Sequence, residues 1–454
     1  MKRYTYLFAL ALAGLLSVMG LFGQAADIAH AATSAVHTTQ GAANPDQHVV
    51  VAYFTQWSIY SGFLEKDLVA NGTAAHLTAL DYAFGNISPD LKCYETDQAG
   101  QGDPWADYQR PFSASESVNG QADSWGQTLA GNFNQLKELK QLYPNLKILI
   151  SLGGWTWSTN FSAAAEPQNR AAFVQSCIDQ YILGNLPQLD GDPSGGAGSA
   201  AGIFDGFDID WEYPDNPGNG NAYGPQDTAN FTGLLAEFRH QLDALGKQTG
   251  KHYILTAALP SGQDKYDNIQ LGQIGKYLDW GSLMTYDMHG PWNATGPTDF
   301  NAPLFCDPRD PSPAPANTYC INHAVLDFLA AGFPARKLVL GIPLYGHGWT
   351  NVPDVNHGLF QSSPNMQPAA LGGGTANYNQ LVSLNMPRYW DPLAATAWYY
   401  DGTNFWSYDD PASIALKMAY VKALGLGGAM AWSLDGDDSS GTLMKAVYRG
   451  LQGW

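Results

Sequence analysis

Short apolar or β-branched runs alternate with amphipathic stretches through most of the chain. The apolar runs predict strands at Val49–Phe54, Ala79–Phe84, Lys147–Leu152, Gly206–Trp211, Ile254–Ala258, Ser282–Thr285, Lys337–Ile342 and Gly427–Trp432. Apolar residues recur at helical spacing over Leu129–Leu142, Asn230–Leu245, Ala324–Ala331 and Ser413–Leu424. Strands separated by helices must pair in parallel. Eight such units predict an α/β fold, a (β/α)8 TIM barrel, rather than an open sheet. Two stretches exceed ordinary barrel loops. One is the aromatic loop from Leu91 to Gln127. The other is the segment 346–406, which is expected to form a small inserted domain between strands seven and eight. The barrel would then comprise 47–345 and 407–454.

The first residues have a different pattern. Lys2 and Arg3 precede an apolar stretch from Tyr6 to Phe22, and Ala29-His30-Ala31 offers small residues for cleavage. This is the layout of a secretory signal peptide, so 1–31 is expected to be removed and 32–46 to be a polar lead-in. The expectation is a secreted, extracellular protein with no membrane association after cleavage.

Charge narrows the partners. The 454 residues carry 22 basic and 41 acidic side chains, net −19, which lacks the basic footprint a nucleic-acid binder needs. The 14 Trp, 24 Tyr and 19 Phe exclude intrinsic disorder. Four cysteines suit an oxidising compartment, and none has the CxxC spacing of a zinc or redox site. Cys306 and Cys320 bracket a proline-rich loop and are expected to staple it. Whether Cys93 pairs with Cys177 is open at this level.

Candidate chemistry concentrates at the fourth strand, Phe204-Asp205-Gly206-Phe207-Asp208-Ile209-Asp210-Trp211-Glu212-Tyr213-Pro214. Alternate side chains of a strand share a face, so Asp208, Asp210 and Glu212 point one way and Phe207, Ile209 and Trp211 the other. The carboxylate face is expected to look into the barrel at its C-terminal rim, where active sites sit. Three desolvated, mutually repelling carboxylates raise at least one pKa. Glu212, nearest the rim, is the natural general acid. It is one of only seven glutamates and the only one predicted at a strand end. A calcium loop needs turns and carbonyl ligands that this spacing does not offer, so no metal and no cofactor are expected.

The run DGFDIDWEYP resembles the DxxDxDxE signature of glycoside hydrolase family 18, the chitinases. Ser151-Leu152-Gly153-Gly154-Trp155, Met284-Thr285-Tyr286-Asp287, Tyr345-Gly346-His347-Gly348-Trp349 and Ala431-Trp432-Ser433 are similar to further family elements. The likeness extends over 47–454 and is greatest to secreted bacterial chitinases with an α+β insertion before the last strand. One departure is His347, where the family usually has arginine. The resemblance implies hydrolysis of β-1,4 bonds between N-acetylglucosamine units with retained configuration. Glu212 would protonate the leaving oxygen, and the substrate's own acetamido oxygen would attack the anomeric carbon. Asp210 would orient that amide, Asp208 would share a proton with Asp210, and Tyr286 would bind the acetamido group. Asp205, of opposite parity, is given a supporting role.

Sugar rings stack on aromatic faces. By the same resemblance Trp432 would floor the subsite of the cleaved sugar, with Tyr53, Phe84 and Met284 around it. Trp57 would reach toward the non-reducing side and Trp155 toward the leaving group, while Asp287 and Tyr213 line the cleft. Trp292, Trp390, Trp398 and Trp406 are not placed in the site. The implied partners are chitin and N-acetylglucosamine oligosaccharides, bound by a monomer. Two other activities share the signature: an endo-β-N-acetylglucosaminidase acting on N-glycans, and a chitin-binding lectin. Lectins of this type typically lose the acid that Glu212 supplies here.

Overall fold

The structure, a computed structural model, describes residues 48–189 and 191–452. The expected signal peptide and the whole of the lead-in lie outside the described residues. Eight parallel strands close into a barrel: β1 (Val49–Thr55), β2 (Ala79–Ile87), β3 (Lys147–Gly153), β4 (Gly206–Asp210), β5 (Ile254–Pro260), β6 (Trp280–Met284), β7 (Leu338–Pro343) and β8 (Gly428–Trp432). Each pairs with the next, and β8 and β2 both pair with β1, which completes the ring. All eight expected strands are present.

Their edges differ in two informative places. Regular pairing in β4 stops at Asp210, because the Glu212 amide bonds the Ser158 hydroxyl at 3.0 Å instead of a neighbouring strand. β6 starts earlier than expected, at Trp280, since Gly281 reads as punctuation but pairs with Leu338.

Alternation along the strands separates two apolar regions. Inside the barrel lie Val51, Tyr53, Leu149, Trp280, Val339 and Met430. Between barrel and helices lies a larger core that takes the outward set of β4. There Trp211 stacks on Phe161 at 5.4 Å, and Phe207 meets Phe238 at 5.2 Å. Burying such side chains contributes about 1.5–3 kcal/mol each, which locks the strand's register and therefore its opposite face.

The helices from Gly131 to Leu142, Asp227 to Thr249, Ile321 to Ala330 and Pro411 to Ala423 are close to those expected. The last is capped by Asp410, whose carboxylate accepts from the Ala412 and Ser413 amides.

After β7 the chain builds a second, antiparallel sheet around Tyr345–Thr350, Phe405–Tyr408, Thr396–Tyr400 and Arg388–Asp391, with short strands at Gln367–Pro368 and Thr375–Asn377. One helix, Tyr378–Val382, accompanies it. This α+β insertion has its own core, including Trp349, Leu359, Trp398 and Phe405. Two disulfides form, Cys306–Cys320 as expected and Cys93–Cys177, the pair that spacing left open.

Candidate active site

A cavity of about 950 Å³ opens at the C-terminal end of the barrel. Its floor follows from strand parity. Asp208 on β4 stands level with Ser151 on β3 and Thr256 on β5, because the three are register partners. Asp208 accepts hydrogen bonds from Thr256 Oγ1 at 2.6 Å, Tyr53 Oη at 2.7 Å and Ser151 Oγ at 2.8 Å. It is fully buried and lies beneath the cavity rather than in its wall. Burial raises its pKa, against the lowering effect of those three donors.

Asp210, one step higher, lines the cavity. Its Oδ1 is buried without a donor. Its pKa is well above the usual carboxylate range, through burial first and then repulsion from Glu212, Asp208 and Asp81. Glu212 follows just beyond the strand, held by its amide on Ser158 and by its carbonyl, which accepts from Asn221 Nδ2 at 2.9 Å. Burial pushes its carboxyl up to about 7; a hydrogen bond with Tyr213 lowers it and Asp287 raises it. All three carboxyls are thus held above their ordinary pKa, with three hydroxyl donors on Asp208 at the bottom of the row and Glu212 at the cavity.

Tyr286 faces this row from just beyond β6, with its hydroxyl 3.8 Å from Met430 Sδ. Burial, and then Asp210, Asp287 and Glu212, keep the phenol protonated. Asp287 accepts from Tyr345 Oη at 2.6 Å, and His347 Nε2 lies 2.7 Å from the same oxygen. His347 also bonds Thr375 at 3.0 Å. The histidine that stands in place of arginine thus ties Asp287 to the inserted sheet.

Aromatic rings form the walls. Trp432 lies 5.2 Å from Tyr53 and is stacked on Phe84 at 5.6 Å; Phe84 is 6.2 Å from Trp57. Trp155 meets Tyr213 edge-on at 6.5 Å. Met284 also lines the cavity. Trp57 is 45% exposed and Trp155 50%, so their faces are free to stack on a ligand.

Asp205 is the one expected residue that does not join this group. It sits before β4, at the opposite end of the strand, where it pairs with Lys140 at 2.7 Å and accepts from the Ile148 amide at 2.9 Å. Its support is to the barrel's packing, not to the cavity.

Two of the residues the sequence reading missed stand out. Trp292, left out of the site by sequence, lines the cavity 57% exposed and 5.1 Å from His347. Asp81 on β2 is fully buried, has no donor on either oxygen, is repelled by Asp208 and in turn raises the pKa of Asp210. Its inward parity between Ala79 and Ala83 was the available signal.

Residues 49–437 match the profile of glycosyl hydrolases family 18. The chain belongs to that family. Among family-18 relatives, it is 38% identical over 416 residues to chitinase 63 of Streptomyces plicatus and 39% over 402 to chitinase C of Streptomyces lividans. These alignments cover 90% and 87% of this chain. The chain spans only 61% and 58% of the length of those two relatives. The structure is similar, with a TM-score of 0.85 and 42% identity, to the catalytic domain of psychrophilic chitinase B from Arthrobacter TAD20. That likeness covers 90% of this chain and 97% of the other.

Proposed function

We propose that this family-18 chain is a chitinase that hydrolyses β-1,4 bonds between N-acetylglucosamine units with retention, using the substrate's acetamido group as nucleophile. The observation that carries the reading is the row of buried carboxyls at the end of β4. It supplies a buried acid with a pKa near 7 at the cavity wall, and no second carboxylate placed as a nucleophile is required.

Glu212 protonates the glycosidic oxygen as the bond to the anomeric carbon breaks. The acetamido oxygen closes on that carbon and forms an oxazolinium ring. Asp210, which lines the cavity, accepts the amide N–H, orients it and balances the ring's positive charge. Asp208, held by three hydroxyls, anchors the row from below and shares a proton with Asp210. Tyr286 donates to the acetamido carbonyl from the opposite wall. Water, activated by the Glu212 carboxylate, then opens the ring and restores the acid.

Trp432, Tyr53, Phe84 and Met284 enclose the sugar being cleaved, while Trp57 and Trp155 extend the track to either side. Chitin and its oligosaccharides are the partners, and the enzyme acts as a secreted monomer after loss of 1–31. Among the described residues no helix is long and apolar enough to cross a membrane. Residues 346–406 act as a domain that walls one side of the groove, holding Asp287 through His347.

Glu212→Gln tests the assignment. The variant should bind N-acetylglucosamine pentamer in calorimetry with an affinity close to the parent's and lose turnover by at least ~10². Retained hydrolysis would place the acid elsewhere.

A further inference from the structure

Outside the carboxylate row, three loop residues converge on a single point. His289 lies five residues beyond the end of β6. Asp299 follows the cis Gly296–Pro297 bond, and Asp310 lies in the loop stapled by Cys306–Cys320. His289 Nε2 is 3.8 Å from Asp299 Oδ2 and 3.9 Å from Asp310 Oδ2. One ligand atom from each residue lies within 4.8 Å of the other two, and among the described residues this is the one group of His, Cys, Asp or Glu side chains so arranged.

These separations are too long for hydrogen bonds. They leave room for an ion about 2.0–2.5 Å from each atom, the range of zinc and calcium bonds to nitrogen and oxygen donors.

The unused valences point the same way. Asp299 Oδ1 accepts from the Phe300 amide and Asp310 Oδ1 from the Ser312 amide, both at 2.7 Å, so each carboxylate is oriented by one oxygen. The remaining oxygens face His289. Asp299 is only 2% exposed, and its Oδ2 has no donor at all. A buried carboxylate oxygen left so lacks a partner, which a proton shared with Asp310 or a bound cation would supply. Arg309, the adjacent cation, is engaged by Asp307 and Asp391. An imidazole nitrogen is a common ligand of divalent metals.

We propose that His289, Asp299 and Asp310 bind a divalent metal ion, with Zn²⁺ the best match, and that the ion clamps the loop after β6 to the disulfide loop. Zinc takes one imidazole and two carboxylates in a tetrahedron completed by water, whereas calcium prefers six to eight oxygens and no nitrogen. The clamp matters to the cleft because Asp287 and Met288, just before His289, line it.

The test uses the full chain, stripped with chelator and titrated with ZnCl₂ by calorimetry, alongside thermal melts with Zn²⁺, Mn²⁺ or Ca²⁺. One zinc per chain should bind, and the melting temperature should rise by about 3 °C at a hundredfold excess over Kd. Asp299→Asn and, separately, His289→Gln should abolish both effects, while retaining the parent's near-ultraviolet circular dichroism. No zinc uptake at millimolar metal would overturn the proposal, as would uptake unchanged in both variants. A shift with Ca²⁺ alone would overturn the assignment to zinc.

Discussion

Replacing Glu212 by glutamine should stabilise the protein at alkaline pH while it removes turnover. In the folded state the Glu212 carboxyl sits near 7 instead of the ordinary 4.5, chiefly through burial. Below pH 4.5 the group is protonated in both the folded and unfolded chain and contributes nothing. Between 4.5 and 7 the folded state holds the proton that the unfolded state releases, so stability falls as pH rises. Above 7 both states are ionised and the full cost is present, about 3 kcal/mol at 1.36 kcal/mol per pH unit. Glutamine has nearly the same shape, never ionises, and also removes the repulsion that Glu212 exerts on Asp210. The unfolding entropy of a chain of about 400 residues is near 0.85 kcal/mol/K, so the variant should melt about 4 °C higher at pH 8. At pH 4.5 the two proteins should melt together. Differential scanning calorimetry of both proteins from pH 4.5 to 8 makes the comparison. Equal melting temperatures at pH 8, or the same difference at both ends of the range, would refute the reasoning.

Further outcomes follow from the same geometry. The turnover rate should fall as pH rises through about 7, where Glu212 loses the proton it must donate, and a kcat profile still rising to pH 9 would contradict that role. Trp155→Ala removes a half-exposed stacking face at the rim, so it should weaken hydrolysis of polymeric chitin more than of short oligosaccharides. Equal losses on both would point to structural damage instead. Replacing Cys306 and Cys320 together by serine opens a loop with a separation of 14 residues, which should cost about 3 kcal/mol and lower the melting temperature by about 3–4 °C. An unchanged melt would show that the loop is held by its other contacts.

The barrel and its row of carboxylates were legible because both are written in local periods. A strand that buries Phe207, Ile209 and Trp211 under the helices must turn Asp208, Asp210 and Glu212 inward, whatever the rest of the chain does. Asp81 obeyed the same rule but stood alone, and a lone acid in an apolar run signals little until Asp208 is seen beside it. The bracing of Asp287 by Tyr345 and His347 joins positions about 60 residues apart through the inserted sheet, a contact no local pattern encodes. The same holds for His289, Asp299 and Asp310, which lie on one irregular stretch and meet only because the chain folds back. Trp292 was ambiguous since an indole near a loop serves a core as readily as a cleft; Trp398 and Trp406, left unassigned with it, did go to the cores. Parity set Asp205 apart from the row, but it did not give its partner, Lys140.

The most direct measurement is a product time-course on N-acetylglucosamine pentamer, with the parent and Glu212→Gln side by side, read by chromatography that resolves anomers. Dimer and trimer should appear first as the β-anomer, from the parent alone. First products as the α-anomer would contradict substrate-assisted retention, and no cleavage despite measurable binding would contradict the chitinase itself.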